Sequence, residues 1–195
     1  MTRLAVFGYG SLVSHASAAQ TLGRAVEAPI PARLGGWSRS WSLARNNARS
    51  EKSFARADGT LPRFCLGLNL EPNTEAAAPN GALIELTEAE LERLDLREMR
   101  YHRIEVTDSI SLRGRAPSGF GAVFAYRARE EHHRPSPPEG AIVIASYLST
   151  VEAAFDDLGP GELELFRATT AAPPVQVANA VLVSDRIPPG NPRDW

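Results

Sequence analysis

The chain has a single cysteine, Cys65, so no intrachain disulfide can form and a cysteine-rich metal site is excluded. Long apolar runs are missing as well. The longest, Ala141–Ala145, has five residues, against the roughly 20 a membrane helix needs. The apolar start Leu4–Phe7 stops at Gly8, too short for the core of a signal peptide. These shortages lead us to expect a cytoplasmic protein with no membrane partner. Charge of one sign is also scarce: 21 Lys+Arg against 23 Asp+Glu leaves a formal net charge of −2, with no run of like charges. A nucleic-acid partner therefore has no electrostatic support. Lys52 is the one lysine, the other cations being arginine.

An apolar content of 43% over 195 residues suits one globular domain at about 150 residues per domain. We expect that domain to span 1–195, with a proline- and glycine-rich tail from about 187 to 195. Arg3–Phe7 reads as a buried strand delivering the chain into Gly8-Tyr9-Gly10-Ser11. Ser14 then caps a helix over His15–Leu22, with Gly23 placed for a left-handed stop. Ala32–Leu43 reads as one strand bent at Gly35-Gly36, and Arg45–Pro62, polar and without period, as a long mobile loop. Phe64–Leu70 and Ala82–Leu86 read as strands. Thr87-Glu88-Ala89-Glu90 is a capping box flanked by Leu86 and Leu91 at hydrophobic-staple positions, opening a short helix. His102–Leu112 is expected to be a strand bent near Asp108, and Val123–Tyr126 another. Ile142, Ala145, Leu148, Val151, Phe155 and Leu158 recur at helical spacing. A second short helix follows at Glu162–Ala168, and Val175–Val183 reads as the last strand. Irregular alternation of strands and helices points to a mixed α/β (α+β) domain rather than repeated β-α-β units.

Three chemistries fit a glycine loop after a strand. A dinucleotide fingerprint needs a third glycine, and Val13 stands there; a nucleophile elbow needs glycines where Tyr9 and Val13 lie. A backbone cradle for an anionic oxygen remains, beside the plain alternative of a tight turn that needs glycine. His132-His133 beside Glu130-Glu131 reads as a solvated loop, and Cys65 as a small buried hydrophobe. Glu98 closes the capped helix. It is either a solvated helix-end carboxylate or a partly desolvated one with a raised pKa.

Val6-Phe7-Gly8-Tyr9-Gly10-Ser11-Leu12, followed far along the chain by Leu94-Asp95-Leu96-Arg97-Glu98, resembles the paired signature motifs of the γ-glutamylcyclotransferase-like superfamily. Ala32-x-Leu34-x-Gly36-Trp37 and Gly81–Leu86 resemble its strands, and the likeness runs to about Phe166. Leu12 is similar to the Y-G-S-L loop of the ChaC-type branch, which acts on glutathione. Val13-Ser14-His15 and Met99-Arg100-Tyr101 depart from that branch, so the substrate stays open.

The resemblance implies a partly closed β-barrel with surrounding helices. It also implies a γ-glutamylcyclotransferase: a γ-glutamyl group cyclises to 5-oxoproline and an amine, amino acid or peptide leaves. In that reading Glu98 carries protons, the Tyr9-Gly10-Ser11-Leu12 loop holds the glutamyl moiety, and Tyr101 either lines the pocket or packs beneath it. The partner is a small γ-glutamyl molecule, and neither metal nor cofactor is called for. The alternative is a non-catalytic module of the same fold that binds a γ-glutamyl or other carboxylate ligand.

Overall fold

The structure is a computed structural model and describes residues 3–27, 29–112, 119–188 and 191. The expected tail lies outside the described residues except at 187, 188 and 191. The strands are β1 (Arg3–Gly8), β2 (Ile30–Leu34), β3 (Trp37–Asn46), β4 (Lys52–Arg56), β5 (Phe64–Pro72) and β6 (Asn80–Leu86) in the first half. Then come β7 (Tyr101–Glu105), β8 (Ile110–Ser111), β9 (Phe120–Ala128), β10 (Ala141–Ile144), β11 (Val177–Ala178) and β12 (Ala180–Asp185). Helices α1 (His15–Leu22), α2 (Glu88–Arg97), α3 (Ala145–Leu158) and α4 (Glu162–Ala168) surround them.

Six strands in the order β7-β9-β1-β6-β2-β8 form a sheet that curls into a half-barrel, so the chain is mixed α+β as expected. β1 lies at its centre, antiparallel to β6 and parallel to β9. Both its faces are covered, which is why its residues are apolar without alternation. Ala5 and Phe7 face the main core with Leu66, Leu68 and Phe155, whereas Val6 faces a second core made with α1 and α2 through Ala18, Leu91 and Leu94. Leu94 is 1% exposed; burying a leucine contributes about 1.5–3 kcal/mol. A second sheet, β11-β10-β5-β3, abuts the first where Asn69 Oδ1 accepts the Ala128 amide at 2.7 Å.

Several expectations are corrected. The bent strand expected at His102–Leu112 is β7 and β8, which lie at opposite edges of the six-stranded sheet with a 3-10 turn over Thr107–Ser109 between them. The single bent strand at Ala32–Leu43 is two strands in different sheets, because Gly36 turns the chain with φ of 79°. The expected loop Arg45–Pro62 contains β4, whose partner is the distant β12. Buried Asn47 stabilises this excursion, donating to the carbonyls of Phe54 (2.8 Å) and Pro62 (3.0 Å) and accepting the Phe54 amide (2.9 Å). The apolar residues at 142–144 belong to β10, seated between β5 and β11, and the helix begins only at Ala145. The last strand breaks at Asn179 into β11 and β12, which serve different sheets. His133 departs from a solvated reading too, since its Nε2 meets Glu71 Oε1 at 2.8 Å.

Candidate active site

Close approach explains the glycines after β1. A Cβ at Gly8 would stand 3.0 Å from the Leu12 Cβ, and one at Gly10 would stand 3.3 Å from the Tyr147 hydroxyl oxygen. Neither has a left-handed φ. The chain then makes a 3-10 turn over Ser11–Val13, and Ser14 caps α1 by accepting the Ser17 amide at 3.3 Å. Among the described residues, the amides of Gly10 and Ser11 donate to no protein acceptor.

Helix α2 supplies the carboxylate. The Thr87–Glu90 capping box fixes its start, and Glu98 is its C-terminal cap. Leu91 and Leu94 are buried, and Arg97 continues their stripe one turn on with a side chain 0% exposed. Its Nη2 donates to Ser11 Oγ (3.2 Å) and Ser17 Oγ (3.0 Å), its Nη1 donates to Thr21 Oγ1, and its Nε lies 3.2 Å from Glu98 Oε1. One buried cation thus ties the glycine loop, α1 and Glu98 together. The Glu98 side chain is 16% exposed. Burial raises its pKa above the usual carboxylate value, and Arg97 and Arg100 partly oppose the rise.

Glu98, Ser11 and Tyr101 line a cavity of about 280 Å³. A smaller recess of about 40 Å³ shares these residues and adds Tyr9, Gly10 and Leu12. All six residues singled out in the sequence therefore come together. The chain's four tyrosines border the recess as well. Tyr9 donates to the Tyr126 carbonyl (2.6 Å), Tyr101 to the Leu68 carbonyl (2.9 Å) and Tyr126 to Asp95 Oδ1 (2.6 Å). Burial pushes the Tyr9 and Tyr101 hydroxyls well above their usual pKa and that of Tyr147 up to about 12, so these phenols are neutral near pH 7. Among the described residues no group of histidine, cysteine and carboxylate side chains is arranged to hold a metal ion, and no helix is long and apolar enough to cross a membrane.

The sequence matches no protein-family model and no curated protein. Solved structures do match. YkqA from Bacillus subtilis superposes with a TM-score of 0.58 at 17% identity over 86% of this chain and 54% of that one, so the chain spans about half the length of that protein. A gamma-glutamyl cyclotransferase gives 0.59 at 14% identity over 86% and 88% of the two chains. The yeast gamma-glutamyl cyclotransferase specific to glutathione gives 0.53 at 17% identity over 87% and 98%. The chain has the γ-glutamylcyclotransferase-like fold. At these identities the likeness establishes architecture, and the chemistry must be argued from this chain's own residues.

In this fold part of the cavity lining comes from the excursion that the sequence did not resolve into strands. Arg45, Glu51, Lys52 and Phe54 line the cavity there. Arg100 grips Glu51 with two bonds of 2.9 and 2.5 Å; burial pushes the Glu51 carboxyl up, but those bonds prevail and bring it down to about 2. Lys52 Nζ pairs with Asp185 at 3.3 Å. Arg45 lies 4.9 Å over the Phe54 ring and donates to the Lys52 carbonyl at 3.2 Å; among the described residues no carboxylate lies within ion-pair distance of it, although its charge helps to lower Glu51. Cys65 also borders the cavity, and burial raises its thiol pKa, leaving it a poor nucleophile. Arg97 was legible only as a polar residue on the apolar stripe of Leu91 and Leu94. Tyr147 carried no local signal, whereas Arg45 opens the polar segment Arg45–Pro62, whose arginines the sequence offers either to a leaving-group carboxylate or to solvent.

Proposed function

We propose that this protein is a γ-glutamylcyclotransferase-type enzyme that converts a γ-glutamyl group to 5-oxoproline and releases the attached amine. The observation that carries the reading is Glu98, an elevated-pKa carboxylate tied through Arg97 to the glycine loop and opening on a cavity large enough for a small substrate.

The substrate's α-nitrogen attacks its own γ-carbonyl carbon, so the protein's main task is to hold a folded conformer. The new C–N bond closes the ring, the carbonyl π electrons move onto oxygen, and their return expels the leaving nitrogen. Two protons leave the α-ammonium and two arrive on the leaving amine. Glu98 can carry them one after the other, because burial raises its pKa and a carboxyl so raised holds an accepted proton more readily than an ordinary glutamate before returning it. The free amides of Gly10 and Ser11 are suited to an anionic oxygen of the glutamyl part. Arg45 also lines the cavity with no carboxylate within ion-pair distance among the described residues, and it suits a carboxylate on the leaving group. Leu43, Leu66 and Ile144 offer apolar surface beside it.

Incubation with γ-glutamyl amino acids, γ-glutamyl amines and glutathione, followed by detection of 5-oxoproline, tests the proposal. Release of 5-oxoproline is expected, fastest from substrates whose leaving amine bears a carboxylate. Binding of these compounds without any release would make the protein a ligand-binding module of the same fold.

A further inference from the structure

Arg39, on β3, is the largest fully buried side chain among the described residues, at 1% exposure. Its hydrogen-bond acceptors are all uncharged. Nε donates to Thr170 Oγ1 (2.7 Å), Nη1 to the carbonyls of Asn80 (2.7 Å) and Tyr9 (3.1 Å), and Nη2 to Asn80 Oδ1 (2.9 Å). Longer bonds reach the Phe166 carbonyl and Thr169 Oγ1, both at 3.3 Å. The guanidinium lies against the rings of Phe166 (4.3 Å) and Phe155 (5.0 Å). A carboxylate acts on it only at one remove: Asn80 Nδ2 donates to Glu162 Oε2 at 2.8 Å, and Glu162 is itself paired with Arg33 at 2.8 Å.

Carbonyls and hydroxyls can be satisfied by neutral donors, so a buried cation here calls for a use of its charge. One of its bonds bears on the site. The Tyr9 carbonyl belongs to the same peptide group as the Gly10 N–H, and both residues border the recess beside Glu98. A cation on the carbonyl side of a peptide polarises it and strengthens its N–H as a donor. That N–H meets no protein acceptor among the described residues.

We propose that Arg39 is a positioning residue that fixes and polarises the Tyr9–Gly10 peptide, so that the Gly10 N–H stabilises the oxyanion formed on the γ-carbonyl during cyclisation. The inference rests on the cyclotransferase reading above. Arg39 itself exchanges no proton and touches no reacting atom. Its contribution appears in the transition state, where the oxygen is charged, and not in the ground state, where it is neutral.

The test compares the full-length wild type with Arg39→Gln and Arg39→Lys by steady-state kinetics, thermal unfolding and the 15N–1H resonance of Gly10. Removing a whole oxyanion donor costs about 10²–10³-fold in kcat, so weakening one should cost roughly tenfold with KM within about twofold. The Gly10 amide should move upfield in Arg39→Gln, and Arg39→Lys should recover part of both changes. Should Arg39→Gln fail to fold, Arg39→Lys carries the comparison, with kcat and the Gly10 resonance displaced together. A folded variant whose Gly10 resonance is unmoved, or is displaced while kcat stays at the wild-type value, would overturn the proposal. If the wild type releases no 5-oxoproline, the functional reading and the oxyanion role fall together. The Gly10 resonance then still reports whether Arg39 polarises that peptide.

Discussion

Glu98 sits where two opposing effects meet. Burial favours its neutral form, and the cations of Arg97 and Arg100 favour its charged form; burial prevails and the pKa rises. Below that pKa the carboxyl already holds its proton and cannot take one from the substrate, so activity should climb as pH rises through it. The acid limb of kcat/KM is therefore expected above the ordinary glutamate value of about 4.3. A limb at or below that value would contradict the assignment of Glu98 as the base. In the proposed function Arg45, which also lines the cavity, would serve selection and not chemistry. A hydrogen bond to a charged group is worth about 1.5–3 kcal/mol. Arg45→Gln should thus raise KM roughly 10–100-fold for γ-glutamyl amino acids while leaving γ-glutamyl amines nearly unchanged, as initial-rate measurements on both series would show.

At the scale of elements, legibility followed the range of the interactions. α1 with its Ser14 cap and Gly23 stop, and α2 with its capping box, were readable because their signals are local. β4 was not, because its partner β12 lies far along the chain and its polar neighbourhood is stabilised by Asn47 hydrogen bonds that leave no hydrophobic period. The apolar stretch at 142–144 was ambiguous for a different reason: a short fully buried strand and a buried helical turn have the same pattern. The α2 start offers a direct check on this level. Thr87→Ala removes a cap worth about 1 kcal/mol, which for a chain of this size corresponds to a Tm lower by roughly 2–4 °C. Turnover at 25 °C should be unchanged, since Glu98 lies at the far end of the helix. A loss of turnover in a variant that unfolds normally would show that the cap acts on the site.

Across the whole molecule, the half-barrel explains how separated segments serve one cavity. β1 delivers the glycine loop, α2 delivers Glu98, and β4 adds Lys52 and Phe54 to the lining. The two motifs could be read from the sequence because each is compact. Arg39, Arg97 and Tyr147 could not be assigned, since their positions depend on how distant elements pack. Arg97 ties Ser11 to Glu98 only after α1 and α2 have come together. The central claim is that Glu98 carries protons, and Glu98→Gln tests it most directly. Glutamine keeps the size and hydrogen-bonding capacity of glutamate but accepts no proton near neutral pH. Measured as 5-oxoproline release alongside thermal unfolding, with Glu88→Gln on the same helix as control, the variant should lose about 10²–10⁴-fold in turnover while remaining folded. A folded Glu98→Gln protein that releases 5-oxoproline at close to the wild-type rate would contradict the account.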